Sequence, residues 1–135
     1  MKAQGIFRVD RDTAENLARD AKSFGTRVFA LPSGVHDKKS LFLAVRQALP
    51  LDPPLTGDRD NWDALEDSLW SGLHSVREPN ILIVWLDASE MFRASPKDFE
   101  TAAAILEDIA ITLDDPKVTN GPVKKVAVVL GGTWA

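Results

Sequence analysis

The chain has 135 residues, 44% of them hydrophobic and 27% charged, with a formal net charge of −4 and no cysteine. That length supports one real core and falls short of two, so a single domain over residues 1–135 is expected. The missing cysteines exclude a disulfide scaffold and thiolate metal sites, and the acidic balance argues against nucleic acid, whose phosphates need clustered Lys and Arg.

Met1-Lys2-Ala3-Gln4-Gly5 carries no hydrophobic signal core, and the longest apolar run, Ile81 to Leu86, is six residues. Neither an exported nor a membrane-spanning protein is expected from this, and a cytoplasmic one is. Ile6-Phe7-Arg8-Val9 reads as a short strand. A helix follows from about Thr13 to Phe24, with Asp12 as cap, Glu15 three residues on, and Gly25 to close it. Thr26 to Leu31 is the next strand, ended by Pro32-Ser33-Gly34. Asp37 is placed to cap a helix through Leu49, whose apolar side is Leu41, Phe42, Val45, Ala48 and Leu49. Pro50, Pro53 and Pro54 cannot continue that helix, because proline lacks the amide donor.

The next helix, starting near Asn61, carries most of the charge. From Leu51 to His74 there are six acids and one base, a net of −5, so the rest of the chain sums to +1. At about 100° per residue, Trp62, Leu65, Leu69, Leu73 and Val76 fall on one side. Asp63, Glu66, Asp67 and Trp70 fall on the other, which places an exposed indole among carboxylates. Such a surface suits docking of something basic. Asp60 is the expected cap, which makes Asp63 the third helical residue and gives it a structural role at the helix dipole as well.

Pro79 and Asn80 interrupt the chain again. The continuous run Ile81 to Leu86 then fits a strand buried on both faces, as in parallel sheets. Pro96 to Leu113 is the clearest helix, with Ser95 as cap and a stripe of Phe99, Ala102, Ala103, Leu106, Ile109, Ala110 and Leu113. Asp114 to Val123 reads as the most mobile loop, and Val126 to Leu130 as the last strand. Alternating strands and helices give an α/β fold, a small parallel sheet covered by helices.

The run Asn61-Trp62-Asp63-Ala64-Leu65-Glu66-Asp67-Ser68-Leu69, with the flanking order of elements, resembles the barstar family, small intracellular inhibitors of secreted microbial ribonucleases. The resemblance covers roughly residues 26–131 as a core, with 1–25 as an N-terminal strand–helix extension. It implies that the acidic helix and the loop before it plug the cleft of a basic, barnase-type ribonuclease, one to one and without a cofactor. Asp67 would stand among catalytic cations as a phosphate mimic, and Asp63 would lie nearer the base-recognition side. Asn61, Asp60, Leu55, Glu66 and Trp70 would flank them. A further acid on the long helix maps to Asp108 or Glu107. Two features depart from the family: the loop reads Leu55-Thr56-Gly57-Asp58-Arg59-Asp60, without the usual aromatic and with its glycine displaced by about two residues, and Glu66 stands where the family's inhibitor of known action has a tryptophan.

Two other readings remain open at this level. The same fold can serve as an acidic module for a basic protein other than a ribonuclease. Alternatively, Asp63 and Asp67, one turn apart, can act as an acid–base pair or hold Mg²⁺. Against catalysis, the chain has no glycine-rich loop between a strand and a helix, no serine elbow and no His-Glu-x-x-His. His36 and His74 read as structural.

Overall fold

A computed structural model describes residues 5–56 and 60–134. The elements run β1 (Gly5–Val9), α1 (Arg11–Ser23), β2 (Arg27–Ala30), α2 (Lys38–Ala48), α3 (Trp62–His74), β3 (Asn80–Trp85), α4 (Ala88–Ala94), α5 (Pro96–Leu113), α6 (Pro116–Thr119) and β4 (Lys125–Gly131). All strand pairings are parallel, in the order β1-β4-β3-β2. The expected α/β architecture is therefore present, with the N-terminal strand joined to the C-terminal one.

Side chains alternate across a strand, and here both faces are covered. Ile81, Ile83 and Trp85, with Val126, Val128 and Leu130, enter a main core completed by α2, α3 and α5. Leu82, Val84, Ala127 and Val129 enter a smaller core on the other face, closed by Ala14, Leu17, Ala18 and Ala21 of α1. Two dry faces explain why β3 and β4 read as unbroken apolar runs rather than as alternating ones.

Some boundaries differ from the sequence reading. Asp10, extended at the end of β1, caps α1 by accepting the Thr13 amide at 2.7 Å, which leaves Asp12 inside the first turn. α5 spans Pro96–Leu113 as expected, but the Ser95 hydroxyl makes no cap bond and instead donates to the His36 carbonyl at 3.0 Å. α4 was not anticipated. The segment 114–123 is not a plain loop, because Asp115 caps the single turn α6 and Asn120 ends it in the left-handed region.

α3 is seated closely on the chain that leads to it. The Pro50–Leu51 segment crosses it at Gly72, where a Cβ would lie 2.1 Å from the Pro50 carbonyl oxygen. One turn earlier the Asp52 amide donates to the Ser68 carbonyl at 3.0 Å. Beyond the helix, the buried Lys124 ammonium donates to the carbonyls of Val76 and Glu78, which fastens the turn after α3 to the start of β4. Among the described residues no helix is long and apolar enough to cross a membrane.

Candidate functional site: the acidic face of α3

Asn61, not Asp60, caps α3: its side-chain oxygen accepts the Ala64 amide at 3.1 Å. The reason lies on α2. Arg46 Nη2 holds the Asp60 carboxylate at 3.4 Å and Arg46 Nε donates to the Leu55 carbonyl at 3.3 Å, so Asp60 is already occupied. Asp63 is therefore the second residue of the helix and still lies in the first turn, where the dipole favours an acid.

The helix then sorts its side chains by angle. Leu65, Leu69 and Leu73 are buried in the main core, and Ser68 and Gly72 lie against the Pro50–Leu51 side. Opposite the core, Asp63 and Asp67 are exposed, and among the described residues neither has an ion pair or a hydrogen-bond partner. Asn61 is exposed beside them, and Leu55 is half-buried and packed on the core. Gly57, Asp58 and Arg59, part of the acidic stretch, lie outside the described residues.

Glu66 and Trp70 do not share that open face. The helical angle turns them toward α5, which covers this flank. Trp70 is half-buried: its Nε1 donates to Thr112 Oγ1 at 3.0 Å and its ring stacks on His74 at 5.0 Å between centroids. The expected exposed indole among carboxylates is thus instead a cross-link between two helices. The sequence holds no local sign of it, because Thr112 is remote in the chain.

Glu66, also half-buried, meets Asp108 of α5 across a shallow open groove of about 430 Å³ lined by Glu66, Glu100, Thr101, Ala104, Ile105 and Asp108. Of Asp108 and Glu107, it is Asp108 that lines this groove, together with Glu100 of the same helix. The hydrogen bond to Asp108 comes first in raising the Glu66 pKa to about 7, followed by partial burial and the charges of Asp108, Asp67 and Asp63. Two carboxyl groups can bond only through a proton, so below about pH 7 Glu66 is held mainly in its neutral form beside Asp108.

The structure therefore separates the sequence candidates. Among the described residues Asp63 and Asp67 present carboxylates without a hydrogen-bond or ion-pair partner, Glu66 and Asp108 form a proton-sharing pair beside them, and Asp60 is compensated by Arg46. Among the described residues no three His, Asp or Glu side chains form a group suited to a metal ion. What the face offers chemically is a line of oxygen acceptors for cations arranged at helical spacing.

The family model described as Barstar (barnase inhibitor) matches residues 26–121, from β2 through α6 and including all of α3. A search of curated proteins and a search of solved structures each found no match. With the match extending over well more than half of its length, the chain belongs to the barstar family.

Proposed function

We propose that the protein is a non-catalytic cytoplasmic inhibitor that binds a basic ribonuclease of the barnase type one to one, with the acidic face of α3 lodged in the enzyme's cleft. The observation that carries this reading is the pair Asp63 and Asp67, one helical turn apart, exposed and without internal partners among the described residues. A ribonuclease cleft gathers Arg, Lys and His around a phosphate. Two carboxylates presented on a rigid helix supply the same charge without a bond to cleave. The Leu55–Asp60 approach and Asp108 border the contact.

A second reading keeps the face and changes the partner to a basic protein that is not a ribonuclease. Glu66 favours it: a half-buried carboxyl bonded to Asp108 stands where the family's inhibitor of known action has a tryptophan, and this alters the surface between the two aspartates.

Calorimetric titration with a barnase-type ribonuclease separates the two. One-to-one binding is expected, and Asp67→Ala weakens it by about 3 kcal/mol or more, over a hundredfold in Kd, because the partner's cations are left buried and unpaired. Asp63→Ala loses less, and Asp12→Ala, on the remote helix α1, loses nothing. Absence of wild-type binding rejects the ribonuclease reading in favour of the second. Equal losses from Asp12→Ala and Asp67→Ala reject the site.

A further inference from the structure

We propose that Arg46 is a positioning residue for this docking face: from α2 it holds both ends of the segment leading into α3 and removes Asp60 from the carboxylates offered to a partner. The proposal rests on the inhibitor reading above. One guanidinium makes both contacts, Nε to the Leu55 carbonyl at 3.3 Å and Nη2 to Asp60 Oδ1 at 3.4 Å. The pair is well covered, with side chains 25% and 24% exposed. Arg46 also lies over the Phe42 ring, 5.9 Å from its centroid, and the same ring packs edge-on against Trp62 at 5.2 Å. Trp62 is the first residue of α3. Arg46 and Phe42 together therefore hold Leu55, Asp60 and the start of the helix in one arrangement.

The chemistry explains why arginine suits the position. A planar fork with several fixed donors reaches a carbonyl and a carboxylate five residues apart, whereas a lysine ammonium is a single point charge on a flexible stem. The electrostatic consequence is selective. Asp60 faces a partner as half of a neutral pair, while Asp63 and Asp67, which have no ion pair among the described residues, face it as charges. Leu55 and Asp60 are held by Arg46 before the partner arrives, so less ordering of these two residues is left to be done on binding.

The test is a double-mutant cycle on association and dissociation rates with a barnase-type ribonuclease, using Arg46→Met, Asp60→Asn and the pair. Methionine keeps an unbranched apolar stem and removes the fork. In Arg46→Met, association at low salt speeds severalfold because the Asp60 charge is uncovered, while dissociation speeds about tenfold because the approach to α3 is no longer held. Adding Asp60→Asn to Arg46→Met returns association to the wild-type rate and leaves dissociation fast. A loss of stability alone would not speed association in a way that depends on the Asp60 charge. If Asp60→Asn accelerates dissociation equally in both backgrounds, Asp60 touches the partner directly and the proposal is overturned.

If wild type does not bind the ribonuclease, the inhibitor reading fails and the positioning role is decided on the free protein by amide hydrogen exchange. Arg46→Met then speeds exchange of the Ala64 and Leu65 amides, both held by Asn61, about fivefold or more and leaves β3 amides unchanged. Unchanged first-turn exchange, or acceleration spread equally over β3, overturns the proposal.

Discussion

At the scale of single residues, Glu66 is the side chain whose charge state the fold changes most visibly. Its pKa rises from 4.5 to about 7, first through the hydrogen bond to Asp108 and then through burial and the neighbouring aspartates. Between those two values the folded protein holds a proton that the unfolded chain has released. Stability on this group's account is therefore full below pH 4.5, falls as pH rises, and reaches its floor once pH passes about 7. Glu66→Gln keeps a donor for Asp108 and cannot ionise. Urea unfolding at pH 5 and pH 8 is expected to show the wild type losing stability between the two and the variant losing markedly less. Identical pH slopes in the two proteins would mean that Glu66 and Asp108 do not share a proton. The aspartate pair itself was legible in the sequence because a four-residue spacing places two side chains on one helical face whatever the surroundings. The proton-sharing pair was not, since it depends on how α3 and α5 lie against each other.

At the scale of elements, what could be read depended on whether a segment's pattern or its neighbours decide its structure. α5 has a proline at its first position and an apolar stripe along its length, and it appears with the bounds its sequence suggests. β3 and β4 are apolar without interruption because both faces are covered, which is itself a sign of a parallel sheet. α4 has only seven residues, mixing Ser89, Glu90 and Arg93 with Met91 and Phe92, too short for a period to declare itself. Trp70 was misplaced for a related reason, as a helical wheel knows the core side of α3 but not that α5 covers the flank. The same neighbour effect makes Gly72 a sensitive position. Alanine there would put a Cβ 2.1 Å from the Pro50 carbonyl oxygen and 2.5 Å from its carbon, both backbone atoms that cannot rotate away. Gly72→Ala is expected to lower stability by about 2 kcal/mol despite alanine's better helix propensity, since overpacking outweighs the gain of about 1 kcal/mol from propensity. A urea midpoint equal to or above wild type would contradict the close crossing of α3 and the Pro50–Leu51 segment.

At the scale of the whole molecule, the family match over 26–121 leaves out β1, α1 and β4, yet β4 lies between β1 and β3 and carries both cores. α1 is what covers Leu82, Val84, Ala127 and Val129. Deleting residues 1–25 uncovers that apolar face and frees one edge of β4, so the shortened chain is expected to lose cooperative thermal unfolding and to aggregate. A monomeric product with a sharp transition would show that the N-terminal strand and helix are dispensable. Charge is distributed unevenly along the chain: the −5 between Leu51 and His74 exceeds the −4 of the whole. An approaching cationic cleft feels that charge only within a Debye length, about 10 Å at 0.1 M salt and about 3 Å at 1 M. If α3 recognises its partner by charge, stopped-flow association with a barnase-type ribonuclease slows about tenfold or more between 0.05 M and 0.5 M salt, while dissociation changes far less. Asp63→Ala and Asp67→Ala flatten the salt dependence, and Asp12→Ala leaves it as it was. Binding whose rate ignores salt would move recognition from the carboxylates to apolar surface beside the α3–α5 groove, and the phosphate-mimic reading of Asp67 would fall with it.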